Sequence, residues 1–96
     1  MAGYKLKDDA KADLKRIYQR GYERHGEAQA DDYYYAFFQR FERIVENPYL
    51  YPPVDHIKAG YRRSVCGVDS IYYRVVDGMP EIMRILGQQD TDAELD

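Results

Sequence analysis

The sequence predicts an α+β domain in which a helical hairpin packs on a mainly antiparallel sheet, in the order β-α-α-β-β-β. Three observations carry that prediction. Two stretches repeat their apolar residues at helical spacing and are parted only by His25-Gly26. Asn47-Pro48 then closes the helical region, because the residue before a proline is pushed out of the helical conformation. Beyond it, alternating apolar and polar residues flank Asp77-Gly78, a strong signal for a tight hairpin.

The elements follow in order. Residues 3–7 set Tyr4 and Leu6 against Lys5 and Lys7, a short first strand. Asp8 and Asp9 are good N-caps, and their charge suits a helix N-terminus. Ala10, Leu14, Ile17 and Gly21 then form one apolar stripe, with Tyr18 and Tyr22 alongside, and Gly26 can end that helix in a left-handed conformation. A second helix from Glu27 carries Ala30, Tyr34, Phe37, Phe41 and Ile44 as its core stripe, widened by Phe38 and Val45. So short a turn makes the two helices an antiparallel hairpin. Pro48-Tyr49-Leu50-Tyr51-Pro52-Pro53, with three prolines in six residues, reads as a stiff loop packed on the domain. Strands are expected at 61–66, 69–76 and 81–86, with Gly67 and Asp77-Gly78 at the turns.

Composition bounds the function. Ninety-six residues and 11.3 kDa make one domain, expected over residues 1–89, with an acidic and frayed tail at 90–96. Such a chain buries roughly 60–65% of its unfolded surface, so its core is thin. Eleven Tyr and three Phe compensate, since a tyrosine can bury its ring while its hydroxyl stays wet. The apolar runs are far shorter than the ~18–20 residues of a membrane span, so no membrane contact is expected. No secretory pattern opens the chain, and the single Cys66 cannot form an internal disulfide; both favour a cytoplasmic, bacterial-type setting. The net charge of −3 comes from the tail, where Asp90, Asp92, Glu94 and Asp96 lie; residues 1–89 carry fourteen basic and thirteen acidic residues. A body so close to neutral gives no support to direct nucleic-acid binding.

Strand alternation assigns Ile71, Tyr73, Val75, Met83 and Ile85 to the helices and leaves Tyr72, Arg74, Ile82, Arg84 and Leu86 on the other face. Apolar area mixed with arginines suits a protein partner. A half-wet sheet face with scattered apolar residues is the plain alternative.

Several segments carry a resemblance in order along nearly the whole chain. They are Ala10-x-x-Asp13-Leu14-x-x-Ile17, Gly26-x-x-Gln29-Ala30-x-x-Tyr33, Phe41 before Asn47-Pro48, and Gly60-Tyr61-Arg62-Arg63. Ile71-Tyr72-Tyr73-Arg74-Val75 and Ile82-x-Arg84-Ile85-Leu86 complete the set. The chain thereby resembles the RelE/ParE superfamily of toxin–antitoxin toxins, and most closely its ParE branch. Where ParE sequences often place a histidine after Arg-Ile-Leu, Gly87 stands here, and the following segment is a residue shorter. The resemblance implies a type II toxin that binds and inhibits DNA gyrase and is neutralised by a ParD-like antitoxin in a hetero-oligomer.

The RelE branch instead cleaves messenger RNA in the ribosome, which needs a general base and a general acid, each contributing roughly 10²–10⁴-fold. At the positions that such nucleases use, the ungapped match places Ser70 and Gln88, neither of which titrates near neutral pH. No catalytic residue, metal or cofactor is therefore expected. His25 reads as a helix-terminal charge, and His56 beside Asp55 reads as a loop pair before it reads as a dyad. Cys66 reads as a small buried thiol, and of Tyr33-Tyr34-Tyr35 only Tyr34 is expected in the core. The antitoxin is expected over the hairpin and the sheet edge, in apolar pockets near Tyr18, Tyr22, Leu50 and Tyr51. The arginine-bearing face (Arg63, Tyr72, Arg74, Ile82, Arg84, Leu86) is expected to serve antitoxin or target. Charge reversal at Arg74 or Arg84 is expected to weaken that binding with little loss of folding. Two other functions remain open: a ribosome-dependent endoribonuclease using His56, Arg63, Arg74 or Arg84, and a non-toxic relative that only binds antitoxin.

Overall fold

A computed structural model of the chain describes residues 3–87, and the tail expected at 90–96 lies outside the described residues. The apolar stripes become two adjacent helices, α1 (Asp8–His25) and α2 (Glu27–Glu46). Ala10, Leu14 and Ile17 of α1 and Ala30, Phe37, Phe41 and Ile44 of α2 are all buried. Gly26 joins them with φ +89°, its N–H closing α1 on the Tyr22 carbonyl at 3.0 Å. The cap position lies one residue before the expected caps, and the helix itself starts at Asp8. Lys7 takes the cap position without a side-chain bond, so Asp8 and Asp9 act through their charge in the first turn.

The strands are β1 (Lys5–Leu6), β2 (Arg62–Cys66), β3 (Asp69–Val76) and β4 (Met79–Gly87), ordered β1-β4-β3-β2. β1 runs parallel to β4 and the other pairs are antiparallel, so the expected fold class holds. Beyond Ile82 the open side of β4 is covered by α1 instead of a strand. Asp13 Oδ2 accepts the Ile85 N–H at 2.9 Å, and Arg16 Nη2 donates to the Ile85 carbonyl at 3.1 Å.

The register holds the main correction. Tyr72 pairs with Arg84 and Tyr73 with Ile82, leaving Met83 as an extra residue. Side chains alternate with a period of two, so one inserted residue exchanges the faces beyond it. Ile82 therefore joins Ile71, Tyr73 and Ile85 in the core under the helices, and Met83 moves to the opposite face. Both reverse the assignment from simple alternation.

That opposite face is not free. Tyr72 and Leu86 pack with Val54 and Tyr61, and Ile57 and Met83 flank them. The loop after α2 starts on the helix side of the sheet, where the Tyr73 hydroxyl donates to the Pro48 carbonyl at 2.7 Å and Arg62 Nη1 donates to the Tyr51 carbonyl at 2.8 Å. Its continuation, residues 54–61, crosses the opposite face. Val54 N–H bonds to the Tyr61 carbonyl at 2.8 Å, and Asp55 Oδ1 accepts the Gly60 N–H at 2.8 Å. The proline-rich loop is thus packed on the domain as expected, and the segment that follows it covers the face assigned to a partner. Among the described residues no helix is long and apolar enough to cross a membrane.

Candidate binding surface

The hairpin exposes a row of aromatic rings. Tyr22 and Tyr18 lie one turn apart on α1 with ring centroids 6.4 Å apart, and Tyr18 meets Tyr34 of α2 edge-on at 5.6 Å. The row continues through Phe38, 5.1 Å from Tyr34, into buried Phe41 at 5.3 Å. Its outer members stay open to solvent, Tyr22 at 50% and Tyr34 at 39% exposure. Tyr34, expected in the core, is instead partly exposed, and its neighbour Tyr33 packs on the core beside Phe37. The Tyr18 hydroxyl donates to Asp31 Oδ1 at 2.7 Å, bridging the helices, and that bond pushes the phenol up to about 12.

Beside this row an open cavity of about 1000 Å³ runs between the hairpin end and the β2–β3 turn. Gly21, Ala30 and Ala36 leave the space, while Tyr18, Tyr33 and Tyr34 form walls. Tyr33, expected outside the core, turns inward. Its hydroxyl lies 2.8 Å from both Asp69 Oδ2 and the Cys66 carbonyl, with one proton to share between them. Arg20 Nη2 reaches the same carboxylate oxygen at 3.0 Å. α1, α2 and β3 are therefore clasped at one buried aspartate. Burial, then the bond to Asp69, pushes the Tyr33 phenol far above its ordinary range. Gly67, with φ +63°, permits this packing, since a Cβ there would sit 2.6 Å from Tyr33 Cε1.

The remaining expected site residues fall elsewhere. Leu50 is 70% exposed on the stapled loop. Neighbouring Tyr51 packs edge-on against Tyr73 at 6.5 Å. Ring contacts join Tyr18 with Tyr22, but do not connect that pair to Tyr51. Tyr72, Ile82 and Leu86 are buried core residues and present nothing to a partner. Arg74 Nε donates to Glu81 Oε1 at 2.9 Å across the β3–β4 pair, holding that carboxyl below its usual range. Arg84 forks onto Asp13, Nε to Oδ2 at 2.8 Å and Nη2 to Oδ1 at 3.0 Å. Arg84 thus serves an internal carboxylate, while the Arg74 side chain, 43% exposed, stays partly open beside Glu81. Arg63 is half-buried, its backbone N–H bonded to the Pro52 carbonyl.

Chemically reactive groups are poorly placed. Burial raises the Cys66 thiol, keeping it from its nucleophilic form. His25 and His56 are exposed, and Asp55 turns an oxygen to Gly60. Among the described residues no three His, Cys, Asp or Glu side chains are grouped to hold a metal ion. Sequence reasoning missed Arg20, Tyr33 and Asp69 as a unit. The available signal was Gly67, whose turn brings Asp69 under the α2 tyrosine.

Residues 4–91 match the family model described as the ParE toxin of the type II toxin–antitoxin system parDE. A Toxin ParE1 from Caulobacter vibrioides is 39% identical over 88 residues, covering 92% of this chain and 91% of its own length. Another Toxin ParE1, from Mycobacterium tuberculosis, is 33% identical over 94 residues and covers 96% of each chain. Among solved structures, a chain of the chromosomal ParDE system from P. aeruginosa superimposes with a TM-score of 0.76 at 19% identity. That alignment covers 91% of this chain and 98% of the other, and it bears on the fold alone. With a family match along almost its whole length and relatives aligned end to end, this chain belongs to the ParE toxins of type II toxin–antitoxin systems.

Proposed function

We propose that this protein is a cytoplasmic toxin that acts by binding, inhibits DNA gyrase, and is neutralised by a ParD-like antitoxin in a hetero-oligomer. The observation that carries the antitoxin part is the exposed row Tyr22–Tyr18–Tyr34 beside an open cavity. Tyrosines at the lip of a groove are the usual energetic centres of protein interfaces, and such a groove suits an apolar helix face. Strand addition is less well served, because side chains already hold edge groups on both sides of the sheet. Arg40 donates to the Val65 carbonyl on β2, and Asp13 and Arg16 hold Ile85 on β4.

Gyrase as the target rests on the family. The non-enzymatic reading is supported by Ser70, which is buried and paired with Val65 and Leu86 within the sheet, where it cannot handle a substrate proton. On this reading the protein uses no cofactor and makes no direct contact with nucleic acid or membrane. The test exposes purified gyrase with DNA, and separately translating ribosomes, to the pure protein. Cleaved DNA should accumulate while transcripts stay intact, and added antitoxin should abolish the effect. Cut transcripts that a His56→Ala variant spares would replace this reading with a nuclease. Harm to neither system would leave a protein that only captures antitoxin.

A further inference from the structure

Two family-like motifs, Asp13-Leu14 in α1 and Arg84-Ile85-Leu86 in β4, meet in the structure at a place with no part in the proposed binding surface. β1 covers β4 only at Glu81 and Ile82, with the Lys7 N–H reaching the Ile82 carbonyl at 3.0 Å. Past that point the N–H and the carbonyl of Ile85 both bond to side chains of α1. One residue exchanging both groups with a neighbour is the basic unit of antiparallel pairing, and an open edge invites another chain to supply it. Here Asp13 supplies the acceptor and Arg16 the donor, three residues apart and hence on one side of the helix. Arg84 grips both carboxylate oxygens of Asp13, and Arg16 lies 3.5 Å from one of them, so the acceptor is fixed in place.

We propose that Asp13 and Arg16 stand in for the missing half of β1 and close the β4 edge against pairing with a second copy of this chain. The charge matters as well as the geometry. A competing strand would have to displace charge-assisted bonds and leave the carboxylate, whose side chain is 6% exposed, without its Arg84 partner.

The test compares self-association of the full chain by sedimentation equilibrium, with folding checked by circular dichroism. Asp13→Ala should associate roughly ten-fold more tightly than the wild type. Arg16→Ala, which removes only a half-exposed donor, should shift in the same direction by less and serves where Asp13→Ala does not fold. Asp13→Asn keeps an acceptor for the Ile85 N–H but loses the charge, and should fall between the wild type and Asp13→Ala. Hydrogen exchange should show protection rising with concentration at residues 83–87 and not in β2. The proposal is overturned if the folded alanine variants remain monomeric, if Asp13→Asn associates as strongly as Asp13→Ala, or if association protects other segments instead.

Discussion

Arg84 looked like a recognition residue because an arginine beside apolar neighbours on a strand suits a partner. Its side chain is 21% exposed and bound to Asp13, whose own side chain is 6% exposed. Arg84→Glu would set two carboxylates against each other in that site. Unfolding in urea should show a loss of roughly 3–5 kcal/mol, the range for breaking a buried pair. Arg74→Glu, at a more open pair with Glu81, should lose less. This replaces the expectation that either reversal would spare folding. Tyr18 makes a second prediction. Its neutral hydroxyl donates to Asp31, so its folded-state value is raised. The stability from that bond is whole below the unfolded phenol near 10 and disappears as pH rises through about 12. Phenolate absorbance should show several late-titrating tyrosines, Tyr33 and Tyr73 among them, and Asp31→Asn should move one of them to lower pH. Neither partnership was legible from spacing, since Asp13 and Arg84 are 71 positions apart and meet only through the fold.

At the scale of elements, the hairpin and strand positions were readable because helical and strand periods differ and glycine or proline marked each boundary. The strands lay within two residues of expectation, β4 running Met79–Gly87 rather than 81–86. The bulge at Met83 was not readable. Nothing in Glu81-Ile82-Met83-Arg84 distinguishes a strand with one extra residue from a regular one, yet that residue decides which side chains enter the core. Likewise the prolines of the loop announced stiffness but not that residues 54–61 after them would cover the second sheet face. The buried second face predicts that Leu86→Ala costs about 2–5 kcal/mol, as for a core leucine. A change of only ~0.5 kcal/mol in thermal or urea unfolding, normal for a surface position, would mean that the loop leaves this face open.

For the molecule as a whole, the surface we propose for the antitoxin lies on the helices, where Tyr22 and Tyr34 flank Tyr18. Tyr22→Ala and Tyr34→Ala should each weaken antitoxin binding by roughly ten- to thirty-fold in a direct titration, as interface tyrosines do, with little change in melting temperature. Leu50→Ala tests the other expected contact, and affinity unchanged there would confine the partner to the hairpin. The strand order has its own consequence. Lys5 lies beside Glu81, so the first strand cannot take its place in the sheet until the last one exists, and the loop between them includes nearly the entire protein. A ribosome that stalls before β4 releases a polypeptide whose helices lack the platform they rest on. Abortive translation short of β4 therefore yields no partly working copy; the proposed binding shape exists only once synthesis has passed that strand.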